Sequence, residues 1–98
     1  MGTFDSPGTA MANQAERARW NDDGWTAFWP EREALTSSIT PFLMREAALQ
    51  PGERVLDVGS GGGGTTIGAA ALVAPLGTVV GFDLSRPLVA LARERAGS

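Results

Sequence analysis

The apolar positions of this chain follow one rule before residue 53 and another after it. Residues Ala12 to Arg19 favour helix. Asn21-Asp22-Asp23-Gly24 reads as a turn, because Asn, Asp and Gly bond their own backbone and tolerate turn dihedrals. An aromatic cluster of Trp20, Trp25, Phe28 and Trp29 straddles that turn. Pro30-Glu31 opens a second helical stretch that runs to about Leu49. Within it Leu35, Ile39, Phe42 and Leu43 fall at i, i+4, i+7 and i+8, which predicts one buried stripe. Pro41 lacks a backbone donor and pushes Thr40 away from helical dihedrals, so a kink or a restart is expected there. Gln50-Pro51-Gly52-Glu53 closes the stretch with a turn.

After this turn the period shortens. Arg54–Val58 is a short β-type run, and the glycine-rich segment 59–64 follows it directly. Thr65-Thr66 leads into a helix over residues 67–74, with Ile67, Ala70, Ala71 and Ala74 on one face and Leu72 and Val73 on another. That distribution predicts burial from two directions. Pro75-Leu76-Gly77 ends the helix, and Thr78–Phe82 is a second β-type run with Asp83 at its end. Ser85 is placed to cap a last helix, with Pro87 in its first turn and Leu88, Leu91 and Ala92 as its apolar stripe. Gly97 is its expected stop. The order is thus helix, helix, then strand–helix–strand–helix, an α/β arrangement with a βαβ crossover.

Composition narrows the chemistry. The 98 residues carry 8 basic and 11 acidic side chains, for a net charge of −3, with an isoelectric point of about 4.7. An acidic chain of this kind is not a nucleic-acid module, which needs a basic face for phosphates. Cys and His are absent, and every basic residue is Arg. Disulfides, thiolate or His-ligated metal sites, a Ser-His-Asp triad and Schiff-base lysine chemistry are all excluded. No metal is expected. Residues 58–82 carry no charge, but Gly64-x-x-x-Gly68 lies in a stretch broken by Pro75-Leu76-Gly77, so no membrane span is expected. The start of the chain lacks the basic and apolar blocks of a signal peptide, and a cytoplasmic location is the default.

The glycine run is the informative feature. By composition it would serve as a linker, but a strand and a helical apolar face flank it immediately, and a linker would leave both unexplained. At a strand-to-helix corner, glycines permit positive φ and close approach of a ligand to the backbone, and the helix start attracts an anionic group. A phosphate loop is excluded because Thr65 stands where Lys is required. Two nucleotide patterns remain. Gly59, Gly61 and Gly64 spell G-x-G-x-x-G, the dinucleotide pattern; Asp57, Gly59, Gly61 and Gly63 spell D-x-G-x-G-x-G. Asp57 separates them, since a carboxylate ahead of the loop repels a pyrophosphate and attracts the ammonium of an amino acid. Asp83, about 20 residues beyond the loop, is positioned to accept hydrogen bonds from ribose hydroxyls in either case.

Residues Arg54-Val-Leu-Asp-Val-Gly-Ser-Gly-Gly-Gly-Gly-Thr-Thr66, with Val79-Val-Gly-Phe-Asp-Leu-Ser85, resemble the first two motifs of class I S-adenosylmethionine (SAM)-dependent methyltransferases. The segment from Gln14 to Asn21, Trp25 and Pro51-Gly52-Glu53 are similar to bacterial small-molecule methyltransferases, so the resemblance spans residues 13–96. It implies a Rossmann-like doubly wound sheet, truncated here after the second strand and its helix and preceded by N-terminal helices. It also implies SAM as cofactor. Asp57, Gly59, Ser60, Gly61 and Gly63 would then line its methionine part, Asp83 would hold the ribose and Leu84 would pack on the adenine. Ser60 departs from the Cys that many members carry.

The implied organisation is a flexible terminus over 1–12, a helical lid segment over 13–50 and a partial SAM-binding domain over 51–98. The implied partners are a small-molecule methyl acceptor and either a second chain or a further C-terminal half that completes the sheet. No catalytic base is nominated. The alternatives are a non-catalytic remnant or interaction subunit, and an NAD(P)-binding oxidoreductase fragment. For the aromatic cluster two readings stand: packing of the N-terminal helices, or a lid whose indole faces stabilise a sulfonium cation.

Overall fold

The computed structural model describes residues 13–97; the flexible terminus expected over 1–12 lies outside the described residues. Seven elements follow in order: α1 (Gln14–Trp20), α2 (Gly24–Thr36), α3 (Thr40–Ala47), β1 (Arg54–Val58), α4 (Gly64–Val73), β2 (Thr78–Phe82) and α5 (Arg86–Ala96).

The turn at 21–23 forms as its residues dictate, with Asp22 Oδ1 accepting from the Gly24 amide at 2.7 Å. The next helix begins at Gly24, well ahead of the expected start, and Pro30 sits inside it. An interior proline forfeits a hydrogen bond and crowds the preceding turn. Side chains on both sides of Pro30 are anchored, which offsets the loss: Trp25 Nε1 donates to the Arg19 carbonyl at 2.7 Å, and Trp29 Nε1 donates to Glu33 Oε2 at 3.1 Å. The restart expected near Pro41 is observed, with Pro41 in the first turn of α3. It splits the predicted buried stripe between two helices. Leu35 and Ile39 are exposed, at 81% and 59%, and so are Phe42 and Leu43. A continuous amphipathic face needs a continuous helix, and residues 37–39 interrupt it.

β1 and β2 pair in parallel, Arg54 opposite Thr78 through Val58 opposite Phe82, and α4 provides the crossover between them. Alternation along the strands divides the residues between two faces. Val55, Asp57 and Val79 are half-buried on the side that carries α4, whereas Leu56, Val58, Val80 and Phe82 are exposed on the other. α4 buries Ala69 and Val73, one helical turn apart, and not the predicted face of Ile67, Ala70, Ala71 and Ala74, which is exposed. Val73 is fully buried, Leu72 on its flank is not, and so burial comes from one direction. Small residues crowd this helix, and the periodic signal they carry is too weak to say which side meets the sheet.

The last helix follows its sequence signals. Ser85 is buried and its hydroxyl accepts from the Leu88 amide at 3.3 Å; Gly97 ends the helix with φ of 79°. α2 packs against α5, and α3 against α4. The fold is α/β with a two-stranded parallel sheet. A βαβα unit follows the N-terminal helices, with one sheet face covered among the described residues. No helix among them is long and apolar enough to cross a membrane.

Candidate functional site

The glycine corner is folded on itself before any ligand is considered. Gly59, Gly61 and Gly63 all have positive φ, at 76°, 54° and 88°, a region where a Cβ would be strained. The amides of Gly59 and Ser60 both donate to the Phe82 carbonyl, at 2.7 and 3.1 Å, and the Gly63 amide donates to the Ser60 carbonyl at 3.0 Å. The Gly61 amide donates to Asp83 Oδ2 at 2.8 Å. These four amides are therefore committed within the loop and to the end of β2. The leading amides of α4 have no carbonyl within the helix to bond, and Glu33 Oε2 lies beside Gly64 at that helix start, 3.2 Å from where a Cβ would stand.

A cleft of about 470 Å³ opens at the C-terminal ends of the strands, lined by Val58, Gly59, Gly61, Phe82, Asp83, Leu84, Leu88, Trp20 and Trp29. Ligands of α/β sheets bind at this end of the strands, and the volume falls within the range of small-molecule pockets. Asp83 is half-buried there. Its Oδ1 accepts from the Ser85 amide at 2.8 Å, while Oδ2 takes Gly61. A carboxylate has about four acceptor positions, so each oxygen keeps one for a ligand hydroxyl. A Cβ built on Gly59 meets nothing within 4 Å, so the backbone there faces open space in the cleft.

Of the seven residues singled out from sequence, Gly59, Gly61, Asp83 and Leu84 meet in this cleft. Ser60 and Gly63 line an adjacent cavity of about 180 Å³ between the loop, α4, Gly81 and α5. Asp57 lines neither. It sits on the α4 side of the sheet, where Oδ2 accepts from the Thr66 hydroxyl at 2.6 Å. Its strand partner is Gly81, and a Cβ at that position would lie 3.0 Å from both Ser60 and Thr66. A bare residue on β2 thus leaves room for the Asp57–Thr66 pair.

The aromatic cluster divides in the structure. Trp20 and Trp29 line the cleft, Trp25 stacks on Trp20 with centroids 4.3 Å apart, and Arg32 lies 4.9 Å over the Trp25 ring. Phe28 is exposed. Sequence reasoning missed Thr66, Asn21, Glu33 and Arg95. Thr66 carried a readable signal, a hydroxyl three residues past Gly63 at a helix start. The other three are surface residues by type, and only contacts distant in sequence reveal them.

Comparison with known proteins points one way. A family model described as a methyltransferase domain matches residues 49–98, half of the chain. The chain is 48% identical over 48 residues to the arsenite methyltransferase of Halobacterium salinarum, an alignment covering 49% of this chain and 12% of that protein. It is 39% identical over 69 residues to the tRNA (guanine(6)-N2)-methyltransferase of Thermus thermophilus, covering 66% of this chain and 21% of the other. With the demethylmenaquinone methyltransferase of Symbiobacterium thermophilum the identity is 41% over 56 residues, 57% of this chain and 22% of the other. The matched region is thus about a fifth or less of each of these relatives' length. No solved structure matches significantly.

Proposed function

The chain belongs to the methyltransferase-domain family, and from that premise we propose that it supplies the methionine- and ribose-binding half of an S-adenosylmethionine site, in a Rossmann-like class I methyltransferase that acts on a small molecule. The observation that carries this reading is the cleft at the strand ends, where Asp83 and bare glycine backbone face two indoles. The residues fit the group. Asp83 has acceptor capacity left for ribose hydroxyls, the open space at Gly59 admits a ligand against the backbone, and Leu84 offers an apolar surface for adenine. In this reading Asp57, which lines neither cavity, favours the ammonium through its charge from the α4 side of the sheet; its bond to Thr66 occupies one oxygen and fixes the orientation of the group.

Bound SAM supplies an electrophilic methyl on a sulfonium, and holding donor and acceptor in line provides much of the acceleration in such a transfer. The protein's share is then binding, orientation and exclusion of water, tasks that need neither His, Cys nor Lys. Trp20 and Trp29 line the cleft, and indole rings attract a cation. A net charge of −3 suits a small acceptor better than a polyanion. The three relatives named above act on acceptors as different as arsenite, a tRNA guanine and demethylmenaquinone. The exposed Leu56 and Val80 support the half-site reading as well, because an apolar sheet face is what helices of a further half would cover, and open strand edges are where its strands would pair.

Calorimetric titration of the chain with SAM, S-adenosylhomocysteine and NADH tests this. The expected result is binding of the first two, weakened by about 1–3 kcal/mol in Asp83→Ala through loss of a charged acceptor. Binding of NADH with none of SAM or S-adenosylhomocysteine overturns the proposal.

A further inference from the structure

Gly62 belongs to neither glycine pattern in the loop, yet it is among the most buried residues of the corner. Its surroundings explain why it is bare. A Cβ there would collide with the indole of Trp29, 2.5 Å from Cδ1, and would lie 2.9 Å from Arg95 Nη1. The neighbouring Gly61 would place a Cβ 2.6 Å from Trp29 Cζ2. Trp29 therefore lies directly on the loop, and a polar cluster holds it there. Glu33 Oε2 accepts from Trp29 Nε1 at 3.1 Å and from Arg95 Nη1 at 2.9 Å, and the same Arg95 nitrogen donates to the Gly62 carbonyl at 3.1 Å. Arg95 and Glu33 are each about one-third exposed, so this pair is less screened than a surface ion pair.

A second fastening lies at the other end of the helical segment. Asn21 Nδ2 donates to the Leu84 carbonyl at 3.2 Å, and its Oδ1 accepts from the Arg86 amide at 2.9 Å. One side chain in the α1–α2 turn thus holds the loop that carries Leu84 into the cleft.

We propose that Arg95, Glu33 and Asn21 are positioning residues which seat the α1–α2 helices on the two loops framing the cleft, with Gly62 kept bare as the seat of Trp29. The seat exists without ligand, and its effect on cofactor retention rests on the SAM reading above. In the ligand-free chain, Arg95→Met removes both Arg95 bonds, and Gly62→Ala displaces the indole and crowds Arg95 Nη1 while keeping both charged side chains. Either change is expected to raise amide hydrogen exchange about tenfold across 59–64 and 24–36, with β1 and β2 protected as before. Arg95→Lys keeps one charged donor and restores part of the protection. Release of S-adenosylhomocysteine from Arg95→Met is expected to be severalfold faster, with an unchanged far-ultraviolet circular dichroism spectrum.

Unchanged exchange over 59–64 and 24–36 in both Arg95→Met and Gly62→Ala overturns the seat, whatever the cofactor does. A wild-type chain that binds no S-adenosylhomocysteine, while the variants show the altered exchange, upholds the seat and removes the cofactor reading. Wild-type binding with identical release from every variant upholds the cofactor reading and overturns the positioning role.

Discussion

The two faces of the β1–β2 sheet carry the same kinds of side chain and have opposite fates. Val55 and Val79 are half-buried beneath α4, while Leu56, Val58, Val80 and Phe82 are exposed although they are at least as apolar. The covered face is where the glycine corner is braced. Asp57 reaches Thr66 across it, Gly81 leaves space for that pair, and the glycine corner hydrogen-bonds back onto Phe82 and Asp83. Apolar character made both faces suited to burial, but the crossover helix reaches one of them. Burial in a sheet is decided by what the connection brings to it, not by the strand's own composition.

Substitutions on the two faces separate these roles. The largest loss is expected for Gly77→Ala at the entry to β2, where a Cβ would meet Val73 Cβ at 2.5 Å and the Glu53 carbonyl at 2.6 Å. Backbone cannot yield as a flexible side chain can, and a destabilisation of about 3 kcal/mol in chemical denaturation is expected. Next comes Val73→Ala, which empties a fully buried site under the covered face and costs about 2 kcal/mol.

Asp57→Asn exchanges a charged acceptor for a neutral one at Thr66, and about 1 kcal/mol of stability is expected to go with it. In titrations the same variant should weaken SAM while leaving adenosine affinity nearly intact; equal loss for both ligands would remove the ammonium role from Asp57. The smallest effect is expected for Val80→Ala, the same truncation as at Val73 but on the exposed face, at under about 0.5 kcal/mol. Equal costs at Val73 and Val80 would mean that the Leu56–Val80 face is covered in solution.

Local chemistry and neighbour contacts divided the determination of this protein between them. Primary structure settled what depends on a few consecutive residues: the 21–24 turn, the restart at Pro41, both strands, the Ser85 cap and the positive-φ glycine corner. Steric limits and short-range hydrogen bonds act within a turn or a strand, so residue identity is enough there. It also placed Gly59, Gly61, Asp83 and Leu84 at one mouth, because a βαβ unit brings both strand ends together. Tertiary structure alone decided that Ala69 and Val73 are the buried side of α4 and that the Leu35–Ile39–Phe42–Leu43 stripe is exposed. It also turned Asp57 toward Thr66 and brought Asn21, Glu33 and Arg95 to the loops. Each of these depends on what the rest of the chain brings near or leaves bare, and no local pattern records that.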